Sequence, residues 1–320
     1  PEVYNLSSDS QNSNIFHAKY SSSGDLKYAF SINSSNRNRT DNVHSVATDA
    51  MGNTYLSGQF LYPIDLDPGS GDAFFSPMAG IDGFVAKYNS SGEFVSAFTL
   101  NGGANFLAVD GMNNLYVSGR VPDSMDVDPG PDVAMLYSEN NFDVYFAKYD
   151  ENGNFLHASV FESSHTYEQQ DIAIDSENNF YLFGDYKDTV NFTPGEETGM
   201  LISNGERDLY LSKFSPTGEL ELAHSIGGAA ADAAKSMNVG RQGNIVLMGS
   251  FQDKIDFDLG DSSHSLVSPE GFSAFLAAYG DPTNTTVEAR EHEQLPINIF
   301  SANNKLFIDF TKLKVVNADI

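Results

Sequence analysis

Two carboxylates one residue apart, on a bend made by Pro and Gly, are the arrangement in this chain best suited to chemistry. It occurs as Asp65-Leu66-Asp67-Pro68-Gly69, again as Asp126-Val127-Asp128-Pro129-Gly130, and in a variant form as Asp256-Phe257-Asp258-Leu259-Gly260. Oxygen ligands so spaced, joined by backbone carbonyls, suit a hard cation, and Ca2+ is the ion expected. Asp72 and Asp132 lie close enough in sequence to add ligands. Against this, the spacing lacks the third carboxylate and the bidentate Glu of an EF-hand loop, and Asp in a Pro-Gly turn also serves by accepting hydrogen bonds from its own backbone. Both readings are open, and the metal set to test is Asp65, Asp67, Asp126, Asp128, Asp256 and Asp258.

Other reaction chemistry is sparse. The chain has no Cys, hence no thiol nucleophile and no disulfide framework. It has no Gly-x-Ser-x-Gly elbow, no phosphate loop and no His-Glu-x-x-His pair. His165 with Glu168 is the local acid–base pairing, on a polar stretch where a solvated pair is the plainer reading. Seventeen Lys and Arg stand against forty-four Asp and Glu, a net charge of -27. A surface that acidic repels phosphate backbones and anionic lipid heads, so nucleic acid and direct membrane insertion are not expected. No stretch approaches the roughly 20 apolar residues of a membrane helix.

The elements that must position these residues repeat. Phe84-Val85-Ala86-Lys87-Tyr88 returns as Tyr145-Phe146-Ala147-Lys148-Tyr149 and Tyr210-Leu211-Ser212-Lys213-Phe214, with a first copy at Phe16-His17-Ala18-Lys19-Tyr20 and a degenerate last one at Phe275-Leu276-Ala277-Ala278-Tyr279. The closing aromatics fall at 20, 88, 149, 214 and 279. In the reference unit, Val43 to Asp49 reads as a first strand, Thr54 to Phe60 as a second, Gly83 to Tyr88 as a third and Glu93 to Thr99 as a fourth. Turns at 49–53 and 90–92 carry the Asp, Gly and Asn that tight hairpins require. The same order follows in 106–160, 171–225 and 236–279. Four antiparallel strands per unit, with apolar residues on both faces, describe a blade of a β-propeller. The fold class expected is therefore all-β, a propeller of four-stranded antiparallel blades with five or more blades in the parent protein and a crop at the N-terminus. A solenoid would need shorter rungs, and an immunoglobulin-like array about seven strands per unit. Asp25 to Ile32 is a candidate to complete the last blade.

Lys19, Lys87, Lys148 and Lys213 recur at one blade position and are replaced by Ala278 in the last copy, which points to structure rather than catalysis. In a propeller the fourth-to-first and second-to-third connections share one face. The residues there that break the repeat are Arg37, Arg39, His44, Asn101, Asn105, His165, Glu168, Asp171, Asp232 and Lys235, the ligand-face candidates.

Asp49, Gly52, Asn53, Tyr55, Gly58, Asp65, Asp67, Pro68, Gly69, Lys87 and Tyr88 together resemble the β-propeller repeat of bacterial secreted and surface proteins, over about residues 12–280. The resemblance implies a secreted or cell-surface propeller and no fixed activity. It departs at Asn191-Phe192-Thr193-Pro194-Gly195 and at 256–260. Beyond Tyr279 the residues 281–294 read as a linker. The segment 295–320 resembles the opening strands of a type IX secretion C-terminal sorting domain, though it also suits extra strands on the last blade. Domains are thus expected at 1–280, 281–294 and 295–320. The function expected is a non-enzymatic binding or adhesion module, calcium-stabilised, with an extracellular glycan or protein as ligand and the secretion machinery as partner of the tail. A polysaccharide hydrolase or lyase using funnel carboxylates, and a structural spacer, are the alternatives.

Overall fold

A computed structural model describes residues 5–6, 15–32, 42–78, 80–139, 143–240, 243–260 and 263–280, with the backbone alone for 166–170, 298–302 and 305–309. By contacts the chain divides into two compact units, Pro1–Thr285 and Thr286–Ile320. Among the described residues there is no helix, and so none long and apolar enough to cross a membrane.

The first unit is all-β and antiparallel. It opens with a half-blade, β1 (Ile15–Tyr20) and β2 (Leu26–Ile32). Blade I follows: β3 (Asn42–Thr48), β4 (Thr54–Phe60), a short ribbon of β5 (Ile64–Asp65) and β6 (Phe74–Phe75), then β7 (Asp82–Tyr88) and β8 (Phe94–Leu100). Blade II has β9 (Phe106–Val109), β10 (Leu115–Arg120), the ribbon β11 (Ser124–Asp126) with β12 (Met135–Tyr137), and β13 (Val144–Tyr149). Its last strand is the first part of β14 (Phe155–Ile174), whose end opens blade III with β15 (Phe180–Asn191), β16 (Met200–Ile202), β17 (Asp208–Phe214) and β18 (Leu220–Ile226). Blade IV is β19 (Asp232–Val239), β20 (Ile245–Asp256) and β21 (Ser265–Tyr279). In the second unit the described part is one hairpin, β22 (Asn298–Ala302) with β23 (Lys305–Asp309), Asn298 opposite Asp309. The expected linker lies outside the described residues.

Two expectations are corrected. Strand β2 pairs with β1, Ile15 opposite Ile32, and does not complete the last blade, which has three strands among the described residues. The Ser21–Asp25 hairpin is closed by its own backbone hydrogen bonds, Ser21 N–H to Asp25 O at 2.8 Å and Gly24 N–H to Ser21 O at 3.0 Å, and is too short to let β2 leave its neighbour. The second correction concerns the gap read between 160 and 171, which is continuous strand. Because β15 extends to Asn191, it supplies ladder partners to Glu162–Gln169 through three register shifts. The long excursion after each second strand is likewise a ribbon, with the Asp-x-Asp bend, or Asn191-Phe192-Thr193 in blade III, near its tip.

Among the described residues one hairpin design is used eight times, at 21–25, 49–53, 89–93, 110–114, 150–154, 175–179, 215–219 and 240–244. In each, the N–H of the fourth residue donates to the carbonyl of the first. The fourth residue has positive φ, supplied by Gly in six and by Asn113 (65°) and Asn178 (67°) in the others. Gly and Asn are the residues that take this conformation at least cost. Asp49, Asp110 and Asp175 each accept two backbone N–H bonds and one Asn side-chain bond inside the turn, and Asp110 and Asp175 also meet Lys148 at 3.7 Å and Tyr181 Oη at 3.2 Å.

The core lies between blades. On blade I, Leu56, Phe84, Ala86 and Tyr88 face the half-blade and pack on Ile15 and Ile32. Tyr55 and Val85, on the other side of the same strands, pack on Leu115, Val117, Tyr145 and Tyr149 of blade II. The alternation continues through Tyr116 and Phe146 against Phe180, Leu182 and Phe214, then Tyr181 and Leu211 against Leu247, Phe275 and Tyr279. Each sheet buries both faces, which is why polar and apolar residues do not alternate cleanly along its strands.

Candidate functional site

The Asp-x-Asp bends spend their oxygens on the backbone. Asp65 Oδ1 accepts from Asp67 N at 3.1 Å and Ala73 N at 2.9 Å, and Asp67 Oδ1 accepts from Gly69 N at 2.7 Å. Asp126 and Asp128 repeat this with Asp128 N, Ala134 N and Gly130 N, and Asp256 and Asp258 with Asp258 N, His264 N and Gly260 N. The residue between the acids is capped from below: Tyr88 Oη donates to Leu66 O at 2.8 Å, Tyr149 to Val127 O and Tyr279 to Phe257 O. In blade III Asn191 and Thr193 replace the acids and Phe214 the tyrosine, and the bend is kept by Asn191 Oδ1 accepting from Thr193 N at 3.0 Å. Asp72 and Asp132 are exposed. Among the described residues no group of three or more His, Cys, Asp or Glu side chains is placed to hold a metal ion.

The recurrent lysine joins neighbouring blades. It lies over the tyrosine directly opposite on the second strand, Lys87 over Tyr55 at 5.1 Å, Lys148 over Tyr116 at 4.8 Å and Lys213 over Tyr181 at 5.8 Å. In two blades the ammonium then reaches a turn carbonyl of the next blade, Lys87 to Glu151 O at 2.7 Å and Lys148 to Pro216 O at 3.1 Å, whereas Lys213 pairs with Glu221 of its own blade at 2.9 Å. In blade IV lysine and tyrosine are lost together, as Ala278 opposite Val246. The pair is scaffold.

The ligand-face candidates separate into three groups. Arg37 and Arg39 lie outside the described residues, as does the side chain of Glu168. His165 pairs with Asp188, Nδ1 to Oδ2 at 3.3 Å, on exposed strand. Asp171 is a brace: its Oδ2 accepts from Ser236 Oγ at 2.9 Å and Met237 N at 2.8 Å across the blade III–IV interface, and burial raises its pKa. Asp232 is fully buried, as is Asp208. Burial first and the neighbouring Asp208 second push the Asp232 carboxyl up to about 7, while burial raises Asp208. Asp232 accepts from Gly228 N at 3.2 Å and Asp208 from Asn204 N at 2.8 Å. Arg207 sits 3.6 Å from Asp185, which accepts from Ala234 N at 3.1 Å. Such a pair can share a proton, but no substrate reaches carboxyls with no exposed surface.

His44 and Lys235 have a common origin that repeat matching alone does not reveal. In blade I the ladder runs Val43 opposite Gly58 and then Ser45 opposite Ser57, so His44 is the extra residue of a β-bulge. In blade IV Ala234 faces Gly249 and Ser236 faces Met248, leaving Lys235; in blade III Gln169 faces Gly184 and Asp171 faces Phe183, leaving Gln170. In blade II Phe106 faces Ser118, and Asn105 donates its N–H to that same Ser118 carbonyl at 2.9 Å. The strand-2 glycine makes room for the bulge. A Cβ at Gly58 would lie 2.0 Å from Asn42 O, at Gly119 2.2 Å from Gly103 O, and at Gly249 2.3 Å from Ala233 O. Glycine inside a strand with another backbone pressed on it marks a bulge, and a bulge re-aims a side chain.

These bulges sit on the innermost strands, which run side by side: β3 beside β9, β9 beside the end of β14, and that end beside β19. The residue after each recurrent strand-2 glycine is also polar and also different in every blade, Gln59, Arg120, Asp185 and Ser250. Gln59 Nε2 donates to Asn105 Oδ1 at 3.2 Å, tying the residue just before β9 to the blade before it. Away from this edge, a groove of about 790 Å³ lies between the ribbons of blades II and III, lined by Tyr137, Glu139, Glu162, Ser164, Thr189 and Met200.

No protein-family model matches the chain. It is 25% identical over 201 residues to an uncharacterized WD repeat-containing protein of Acanthamoeba polyphaga mimivirus, an alignment covering 54% of this chain and 14% of that protein. The chain thus spans only a small part of that relative's length. Among solved structures, a protein of unknown function from Bacteroides caccae aligns at a TM-score of 0.24 and 9% identity, over 63% of this chain and 86% of that one, a likeness that carries no argument.

Proposed function

We propose that this propeller-type repeat protein is a non-enzymatic binding module working outside the cell, with a glycan or protein ligand met by the inner-strand edge that carries the bulges. One observation supports the reading above others. The residues that repeat are consumed by turns, caps and blade contacts, whereas the bulge residues of blades I, III and IV, His44, Gln170 and Lys235, are polar and all different, which packing does not require. Asp232, one of the acids on which the hydrolase or lyase alternative rests, is buried with Asp208, so its carboxyl is closed to substrate. The resemblance to repeats of secreted proteins supports the extracellular setting.

The test is retention of immobilised chain on a glycan array and on purified surface proteins. His44→Ala combined with Lys235→Glu should abolish retention, while Asp150→Ala, in a hairpin at the other end of the strands, should leave it intact. Retention that ignores the first variant would sink the proposal. Release of new reducing ends or unsaturated sugars from a polysaccharide would replace it with the enzyme reading.

A further inference from the structure

We infer that the groove between the ribbons of blades II and III is a second binding site, which takes an extended protein segment carrying lysine or arginine beside apolar side chains. It stands apart from the bulge edge and does not depend on what that edge binds.

The groove exists because β14 crosses from blade II to blade III as continuous strand. In the neighbouring blades the fourth strand ends first: Leu100 closes β8 before Phe106 opens β9, and Ile226 closes β18 before Asp232 opens β19. Residues 159–164 of β14 line the groove from below, β12 flanks it on the blade II side, and Thr189 and Asn191 of β15 with Met200 of β16 flank it on the other. The strand beneath is held in place. Ser163 N donates to Asp143 Oδ1 at 2.8 Å, and Thr189 N donates at 2.9 Å to Ser164 Oγ, the extra residue where the register shifts from Ser163 opposite Val190 to His165 opposite Lys187. A site mounted on sheet in this way is formed before its ligand arrives and loses little freedom on binding.

Alternation along the ribbon strands supplies the apolar part. Leu136 and Leu201 pack into the interblade clusters, so their neighbours Met135 and Tyr137 on one ribbon and Met200 on the other point the opposite way. All three line the groove, and Tyr137 is 68% exposed. Thioethers adapt to varied apolar side chains, and the face of a tyrosine ring attracts an ammonium or guanidinium group. The charged part is acidic only. Glu139 and Glu162 line the groove and are exposed, and among the described residues no Lys, Arg or His lines it. Residues 140–142, between Glu139 and Asp143 in sequence, contain no base either. Lys187 and His165, further along the same ladder, are not part of the lining. Two carboxylates and an open tyrosine face with no base among them complement a basic partner, and the net charge of -27 draws the same partner from a distance. An extended segment with bases and apolar side chains in alternation meets both the acids and the Met135, Tyr137 and Met200 surface.

The experiment is isothermal titration of the full chain at low ionic strength with the peptide acetyl-Gly-Arg-Val-Lys-Val-Arg-Gly-amide. Two further peptides separate charge from fit: one with Gly in place of each Val, and one with Glu in place of each base. The first should bind at least about tenfold more tightly than the Gly peptide, and the Glu peptide should give no heat. Glu139→Gln combined with Glu162→Gln should weaken the first peptide about tenfold, and Tyr137→Ala about fivefold, while Tyr137→Phe keeps the ring and the affinity. Glu177→Gln, an exposed acid in the 175–179 hairpin, should change nothing. Melting temperatures of the variants should match the parent, showing that the fold is intact. No heat with the first peptide overturns the inference. So does equal binding of the Gly peptide, or a loss from Glu177→Gln as large as that from the groove variants, because either result means general attraction to an acidic surface. Heat with maltotetraose that Tyr137→Ala removes, in the absence of peptide binding, would give the groove to a sugar and overturn it as well. His44→Ala with Lys235→Glu should leave peptide binding unchanged, so the groove and the bulge edge stand or fall separately.

Discussion

Aspartate is the commonest ionisable side chain here, and most of its copies have a structural job. Asp65 and Asp126 each accept two backbone N–H bonds, and in blade III the two are shared between Asn191 Oδ1, which accepts from Thr193 N, and Thr193 Oγ1, which accepts from Gly199 N. This yields a prediction that separates turn chemistry from a calcium site. If the oxygens serve the turn, Asp126→Asn leaves stability within roughly 0.5 kcal/mol and Asp126→Ala costs on the order of 1–2 kcal/mol, with chelator having no effect on the melting curve. A calcium-dependent rise in melting temperature that Asp126→Asn removes would instead make the bends ion sites. At Asp232 the expectation concerns pH. A carboxyl at about 7 in the fold and near 3.8 when unfolded holds its proton more tightly folded. Its contribution to stability is complete at acid pH and is lost as pH rises from about 4 to about 7. Asp232→Asn should therefore flatten the decline in melting temperature between those values and raise stability above pH 7; parallel curves for parent and variant would refute the assignment.

Among the elements, the second strand is the most constrained, because its glycine lies under a bulge of the first. Gly58→Ala and Gly249→Ala should each cost about 3 kcal/mol or more, since the new Cβ meets backbone, which moves less readily than a side chain. Gly280→Ala, with open space around it, is the control and should be near neutral. Urea midpoints would measure both. Equal effects would show that the strand-1 carbonyl yields, and that the bulges are softer than the ladder implies. The glycine was visible in the sequence as a repeating letter. The bulge was not, because one extra residue in a strand leaves no trace until the register with its neighbour is known.

The whole first unit works as a stack in which each blade offers one face to the blade before it and one to the blade after. Repeat position decides which. Val85 and Leu276 occupy the same position on the later-facing side, yet Val85 is 2% exposed and Leu276 68%. The earlier-facing aromatics behave likewise, with Tyr88 at 0% and Tyr20 at 60%. Val85→Asp should abolish cooperative folding or cost at least about 3 kcal/mol, whereas Leu276→Asp should stay within roughly 0.5 kcal/mol. A large loss from Leu276→Asp would mean that this face is covered in solution.

The repeat phrases, the turn residues and their spacing were enough to establish blades, strand order and hairpin positions, since period, apolar pattern and turn chemistry are local properties that a chain displays along its length. Strands β4 and β7 lie within a residue of where the letters put them. The lysine's scaffold role was also legible from its loss at Ala278, although its partner, the facing tyrosine, was not. What only tertiary structure decided was the use of each acid and the aim of each polar side chain. Whether Asp171 meets a ligand or braces Ser236, and whether Lys235 is paired or free, depend on which strand of the next blade comes alongside and in what register, a relation between residues some 65 apart that no local pattern encodes.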